Sequence, residues 1–129
     1  MNLGIANIEE KFIGANKCDF WALFPRKDAA PYQVAVELKV ARNKYDKAEL
    51  IDPIEEQLWK KYLNPEKCGY GVYVVLWFKD GKRYRGPKSW KTIQDLARDI
   101  DVRSKVVAND HRVSIASYVI DLTTPYRKH

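Results

Sequence analysis

Cysteine and histidine are scarce in this chain. Its 129 residues include only Cys18, Cys68, His111 and His129. The cysteines form no Cys-x-x-Cys, and both histidines lie far from them in sequence, so a zinc-binding spacing is missing. Two isolated cysteines read as small buried hydrophobes in a reducing, cytoplasmic setting. Long apolar runs are missing too. The longest, Val72 to Phe78, is far too short to span a bilayer. Met1 to Gly14 lacks a basic start followed by an apolar block, so it does not read as a secretory signal. No Walker-type glycine-rich loop and no Gly-x-Ser-x-Gly occurs, which leaves nucleotide hydrolysis and esterase chemistry without support.

The composition is that of an ordinary globular protein, with 46% hydrophobic and 31% charged residues. Its length suits one domain around one core. There is no repeat, low-complexity tract or dividing linker. The net charge of +6 is unevenly placed. Residues 1–69 carry equal numbers of each sign, and residues 70–129 carry twelve Lys/Arg against six Asp/Glu. Lys79, Lys82, Arg83, Arg85, Lys88 and Lys91 crowd a segment whose one carboxylate is Asp80, with Tyr84 and Trp90 interleaved. A patch of this kind suits a phosphate backbone, and on charge alone it suits a solvated hairpin equally well.

Residues 3–13 read as a short helix with Ile5, Ile8 and Phe12 on one side, and 18–24 and 33–40 as strands. Ala41 to Ile51 is polar and has no clear period. Asp52-Pro53-Ile54-Glu55 then predicts a helix start, with Asp52 as cap, Pro53 at the first helical position and Glu55 at capping-box spacing. Ile54, Leu58 and Tyr62 mark the inner face of a helix that stops at Asn64-Pro65, and Gln57 and Lys61 form a polar row beside them. Gly69 to Phe78 reads as a central strand covered on both sides. Asp80-Gly81 predicts a hairpin turn. Ser89 to about Ile100 reads as an amphipathic helix, and Arg112 to Leu122 as a last strand. The order predicts an α/β fold, a mixed sheet with helices on both faces.

Within this order, Val36-Glu37-Leu38-Lys39-Val40 stands out. Side chains alternate along a strand, so Glu37 and Lys39 share one face. A carboxylate and an ammonium there, with Asp19 upstream as a second acid, could hold a metal ion and a water. The competing reading is a cross-strand ion pair on a solvated face.

Asp19, then Glu37-x-Lys39, then a helix carrying Gln57 resembles the PD-(D/E)XK nuclease superfamily. The block Glu56 to Leu63, followed by Gly69 to Phe78, is similar to a bacterial group of that superfamily. There a Gln-Leu-x-x-Lys-Tyr helix precedes a Gly-x-Gly-(Ile/Val)-Tyr-x-Val-x-Trp-Phe strand. The resemblance covers roughly Ile8 to Leu122. It departs at Cys18-Asp19, where Pro-Asp is usual, at the short lead before Glu9, and at a loop from Ala41 to Ile51 without the expected aromatics. The chain could therefore be a single nuclease domain spanning residues 1–129 or a domain of a larger protein.

The resemblance implies a restriction-endonuclease-like α/β/α sandwich and hydrolysis of nucleic acid, DNA ahead of RNA, with Mg²⁺ or Mn²⁺. Asp19, Glu37 and the Leu38 carbonyl would hold the metal. Lys39 would act on the attacking water, and Gln57 would hold the phosphate or a water. Glu9 or Glu10 could add a carboxylate, and spacing does not choose between them. Lys61, Lys82, Arg83, Arg85 and Lys88 would contact phosphates. Nucleases of this fold often pair, so a homodimer and further targeting domains or subunits are compatible; a membrane partner is not. One rival is a non-catalytic nucleic-acid- or protein-binding member of the fold. Another is a small RNA-binding module, which needs aromatics on an exposed sheet face.

If the basic segment tracks phosphates, a Lys82→Ala, Arg83→Ala, Arg85→Ala variant binds every duplex sequence more weakly. Its log affinity against log salt flattens by about 0.9 per lost contact. Turnover at saturating substrate survives. Unchanged binding and slope in a salt titration would make the segment an ordinary solvated surface.

Overall fold

The computed structural model describes residues 7–8, 20–29, 31–41, 46–66, 68–77 and 89–122. Glu9, Glu10, Cys18, Asp19, Lys82, Arg83, Arg85, Lys88 and the basic tail lie outside them.

The architecture is mixed α/β. Among the described residues, five strands form one sheet in sequence order: β1 (Asn7–Ile8), β2 (Phe20–Phe24), β3 (Tyr32–Ala41), β4 (Tyr70–Trp77) and β5 (Ser114–Asp121). β1, β2 and β3 are antiparallel neighbours, and β3, β4 and β5 run parallel. The predicted strands are therefore present within one or two residues. The described part of the predicted first helix is the strand β1 instead. Ile8 pairs with Phe20, so its backbone joins a sheet ladder rather than a helical one.

Three helices follow the parallel-strand logic. α1 (Lys47–Leu50) and α2 (Ile54–Tyr62) sit between β3 and β4, and α3 (Ile93–His111) lies between β4 and β5. The capping box is at Asp46, not Asp52. The Asp46 carboxylate accepts from Ala48 N at 2.9 Å, and Asp46 N donates to the Glu49 carboxylate at 2.9 Å. A side-chain hydrogen bond with Glu49 first, and the bond from Ala48 N second, hold the Asp46 carboxyl below its usual range. Asp52 contributes its carbonyl, which accepts from Glu55 N and Glu56 N. α2 opens at Pro53 without a side-chain cap and runs in the wider π register, in which each N–H reaches back five residues.

α3 continues eleven residues past Ile100. Thr92 caps it, accepting from Asp95 N at 3.1 Å, and Arg112 ends it in the left-handed region at φ 57°. Leu96, Ile100, Ser104 and Val107 form its buried stripe. Among the described residues the Ser104 hydroxyl is buried without a hydrogen-bond partner.

The described helices cover one face of the sheet. β4 alternates, with Gly71, Tyr73, Val75 and Trp77 buried and Tyr70, Val72, Val74 and Leu76 more exposed. The buried set joins Leu50, Ile54, Leu58, Leu96, Ile100 and Val107 in one core. Trp21 of β2 meets Tyr62 of α2 edge to face on this side. Of the coverage predicted for both faces of β4, the described residues show that of the face bearing Tyr73 and Trp77. No described helix is long and apolar enough to cross a membrane.

Gly71 sets how closely α2 approaches. A Cβ there would lie 2.9 Å from Leu63 Cδ1 and 3.1 and 3.2 Å from the Leu58 methyls. Gly71→Ala overpacks this contact, and a loss of about 1–3 kcal/mol in urea unfolding is expected. An unchanged midpoint would mean that the two leucines can swing aside.

Candidate functional site

Strand alternation puts Ala35, Glu37, Lys39 and Ala41 of β3 on the helix-covered face, opposite Gly71, Tyr73, Val75 and Trp77. Ala35 and Ala41 are fully buried. Between them the site carries charge. Lys39 Nζ lies 3.4 Å from Glu37 Oε2, with side-chain exposures of 23% and 9%. Glu37 is the one buried carboxylate among the described residues. Its setting is therefore not the solvated face that a Glu-x-Lys usually occupies.

The partner elements explain how the pair is enclosed. Tyr73, directly across from Glu37, is fully buried and its hydroxyl donates to the Leu50 carbonyl at 2.7 Å. Burial first, and the Glu37 charge second, push its phenol far above the ordinary range, so the ring stays neutral and remains a donor. This bond ties the end of α1 to β4 beside the charged pair. α2 then passes over β3 and β4 with Gln57 half-buried and Lys61 exposed. Leu38 alternates to the opposite face, half-buried.

Glu37, Lys39 and the Gln57 helix are therefore assembled on one side of one sheet. Asp19 immediately precedes Phe20 in sequence, and Phe20 pairs with Val36, the neighbour of Glu37. Among the described residues no group of three or more His, Cys, Asp or Glu converges. Glu37 and Lys39 do not close around a cation by themselves, and a second carboxylate is required.

A different cluster lies between α2 and α3. His111 stacks on Trp59 at 3.4 Å between centroids and 13° between planes. Its Nε2 lies 3.1 Å from Glu55 Oε2, while Arg103 donates to Glu55 Oε1 at 2.9 Å. Sequence reading missed it because the partners are about fifty positions apart. The one local signal was that Glu55 and Trp59, four apart, share a helix face. A surface groove of about 310 Å³, lined by Lys47, Ile51, Arg98, Asp99, Val102, Arg103 and Val106, contains none of the residues singled out for catalysis. Cys68, whose thiol is pushed up by burial, donates to the Gln33 carbonyl at 3.2 Å and is structural.

No protein-family model, curated protein or solved structure matches this chain. The residues and their geometry therefore carry the functional argument alone.

The hydrogen bond from His111, then the charge of Arg103, hold the Glu55 carboxyl below its ordinary range. A carboxyl depressed in the folded state adds stability that is present above its unfolded pKa and lost as pH falls through the folded one. Wild type should therefore exceed Glu55→Gln in urea stability at neutral pH, with the gap closing through the acidic carboxylate range. A gap independent of pH would assign Glu55 a packing role only.

Proposed function

We propose that this chain is a metal-dependent nuclease of the restriction-endonuclease-like α/β/α class, hydrolysing DNA in preference to RNA. The observation that carries the reading is the Glu37–Lys39 pair, with Glu37 buried and Lys39 part-buried, on the sheet face beneath the helix bearing Gln57. Taking the Glu37 charge out of water costs on the order of several kcal/mol, and an apolar side chain would pack there at least as well. A site that keeps the charge is a candidate for chemistry rather than for stability.

The donor set suits a hard cation. Mg²⁺ takes oxygen ligands and keeps several waters, so the carboxylates of Glu37 and Asp19 with the Leu38 carbonyl would be enough to hold it. Bound there, it would neutralise charge on the phosphate and lower the pKa of a water. Mn²⁺ takes the same donors.

Lys39, already against Glu37, places an ammonium where it can orient that water and offset charge in the transition state. Gln57, on α2, would serve as a neutral donor and acceptor for a phosphate oxygen or a water. Lys61 and the segment with Lys82, Arg83, Arg85 and Lys88 supply sequence-independent backbone contacts. A non-catalytic nucleic-acid- or protein-binding domain is the alternative, in which the buried pair holds structure alone.

The test uses linear, nicked, supercoiled and single-stranded substrates with Mg²⁺ or with chelator. Cleavage should require the metal and fall roughly 100- to 1,000-fold in Glu37→Gln and in Lys39→Met. Glu37→Gln is isosteric and Lys39→Met is one atom shorter and unbranched, so circular dichroism should be unaltered. Metal-independent cleavage, or full activity in Glu37→Gln, would overturn the assignment. Folded protein without cleavage of any substrate supports the non-catalytic alternative.

A further inference from the structure

α2 is held from two sides, and only one of them is apolar. On the sheet side Leu58 and Leu63 come down onto Gly71. On the α3 side Glu55 and Trp59 meet Arg103 and His111. Arg103 donates to Glu55 Oε1 at 2.9 Å, and His111 Nε2 lies 3.1 Å from Glu55 Oε2. The two carboxylate oxygens are thus divided between two partners on one helix. The imidazole also lies flat on the Trp59 indole, with 3.4 Å between centroids and 13° between planes. His111 is the one histidine among the described residues.

Arg103 ties the two helices at any pH, because a guanidinium is always charged. His111 adds a partner whose charge changes near neutrality. The charged groups around it are Glu55 and Lys60 from α2, Arg103 from α3, and Asp110 and Arg112 next to it in sequence. β5, which packs against α3, carries no charge before Asp121 at its far end. Glu55 and the C-terminal end of the 19-residue helix favour a positive charge at this point, and Arg103, sharing the carboxylate, opposes it. The Glu55 carboxyl, held below its ordinary range first by the His111 bond, stays ionised throughout the histidine range. In the imidazolium both nitrogens donate, so the 3.1 Å contact is a charge-assisted hydrogen bond, and a cation lies on the face of Trp59. Without the proton the charge is lost from both contacts.

We infer that Glu55, Trp59, Arg103 and His111 form a pH-responsive tie between α2 and α3, firm when His111 carries its proton and loosened when it does not. The tie bears on the helix that encloses the charged pair. α2 packs over β3 and β4 and carries Gln57 between Glu55 and Trp59. Once His111 is neutral, Arg103 and the leucine contact with Gly71 are left to hold α2, and the helix lifts from the sheet more often as pH rises. The competing account is a static ion pair, in which Arg103 does the holding and His111 only fills space. The inference needs neither metal nor substrate, and it stands whether or not the chain cleaves nucleic acid.

The experiment follows the intrinsic tryptophan emission of the full chain from about pH 5 to about pH 8. An imidazolium lying on an indole quenches it. Emission should therefore rise through the histidine range in wild type and in His129→Gln, and stay flat in His111→Gln and in Trp59→Phe. A urea double-mutant cycle of Glu55→Ala and His111→Ala reads the tie itself. Its coupling should be about fivefold or more in the unfolding constant at about pH 5.5, and under about twofold at about pH 8. Amide exchange, corrected for its own pH dependence, should show Ile54–Tyr62 opening more often at the higher pH in wild type. In His111→Lys, whose charge persists across this range, opening should be equal at both. A flat wild-type emission, a rise that survives in His111→Gln, equal coupling at the two pH values, or α2 exchange that ignores pH would each overturn the proposal.

Discussion

The closeness of α2 to β4 governs the arrangement of the helix-covered face. Gly71 has no side chain, so Leu58 and Leu63 come down onto its backbone. The two leucines are five apart, and a π register brings side chains at that spacing toward one side. Sheet and helix therefore meet at backbone depth along one short stretch. Tyr73 is carried under α1, where its hydroxyl reaches the Leu50 carbonyl. Glu37, across the ladder from Tyr73, is shut away from bulk water, and Gln57 is half-buried on the helix above. A larger residue at 71 would lift the helix and open the charged pair to solvent.

That enclosure raises an energetic question that the rest of the core does not. Ala35, Ala41, Val75 and Trp77 gain by leaving water, and Tyr73 keeps its hydrogen bond when buried. Glu37 and Lys39 gain little, because their attraction at 3.4 Å must first repay the desolvation of Glu37 and, in part, of Lys39. Surface pairs on the same fold, such as Lys60–Glu56 and Lys105–Asp101, carry no such cost and contribute little. The Glu55–Arg103–His111 cluster is intermediate. It is part-buried and stacked on Trp59, and it links α2 to α3 rather than lining the sheet. Of these charged groups, only the β3 pair lies in the sheet, under the helices.

Strands were legible because their signal is local. The β-branched and aromatic run at 70–77 and the alternating run at 32–41 each declare themselves within a few residues, and Glu37 and Lys39 share a face by alternation alone. The helices were less legible. Asp52-Pro53-x-Glu55 and Asp46-x-x-Glu49 both satisfy the capping pattern, and Asp46 won because its flanks leave the amides of Ala48 and Glu49 free to be capped. The end of α3 was hidden by Ser104, a hydroxyl on the buried stripe that interrupts the apolar period between Ile100 and Val107. A π register has no sequence signature at all. The clustering of Glu55 with His111, and the choice of which sheet face the helices cover, depend on contacts between distant segments that no local pattern encodes.

The two faces of the sheet then follow from one alternation with opposite outcomes. Odd positions of β3 and β4 meet helices and hold the one buried carboxylate among the described residues, and even positions hold Tyr32 and Tyr70. In β4 the contrast falls within four residues, where Tyr73 is sealed and Tyr70 stands half in solvent. Tyrosine serves both roles because it joins an apolar ring to one polar tip. Buried, the tip must find a partner, and it finds Leu50. Exposed, the tip is satisfied by water and the ring is left over as surface. Sealed and exposed rings of one residue type are thus separated by three positions of a single strand.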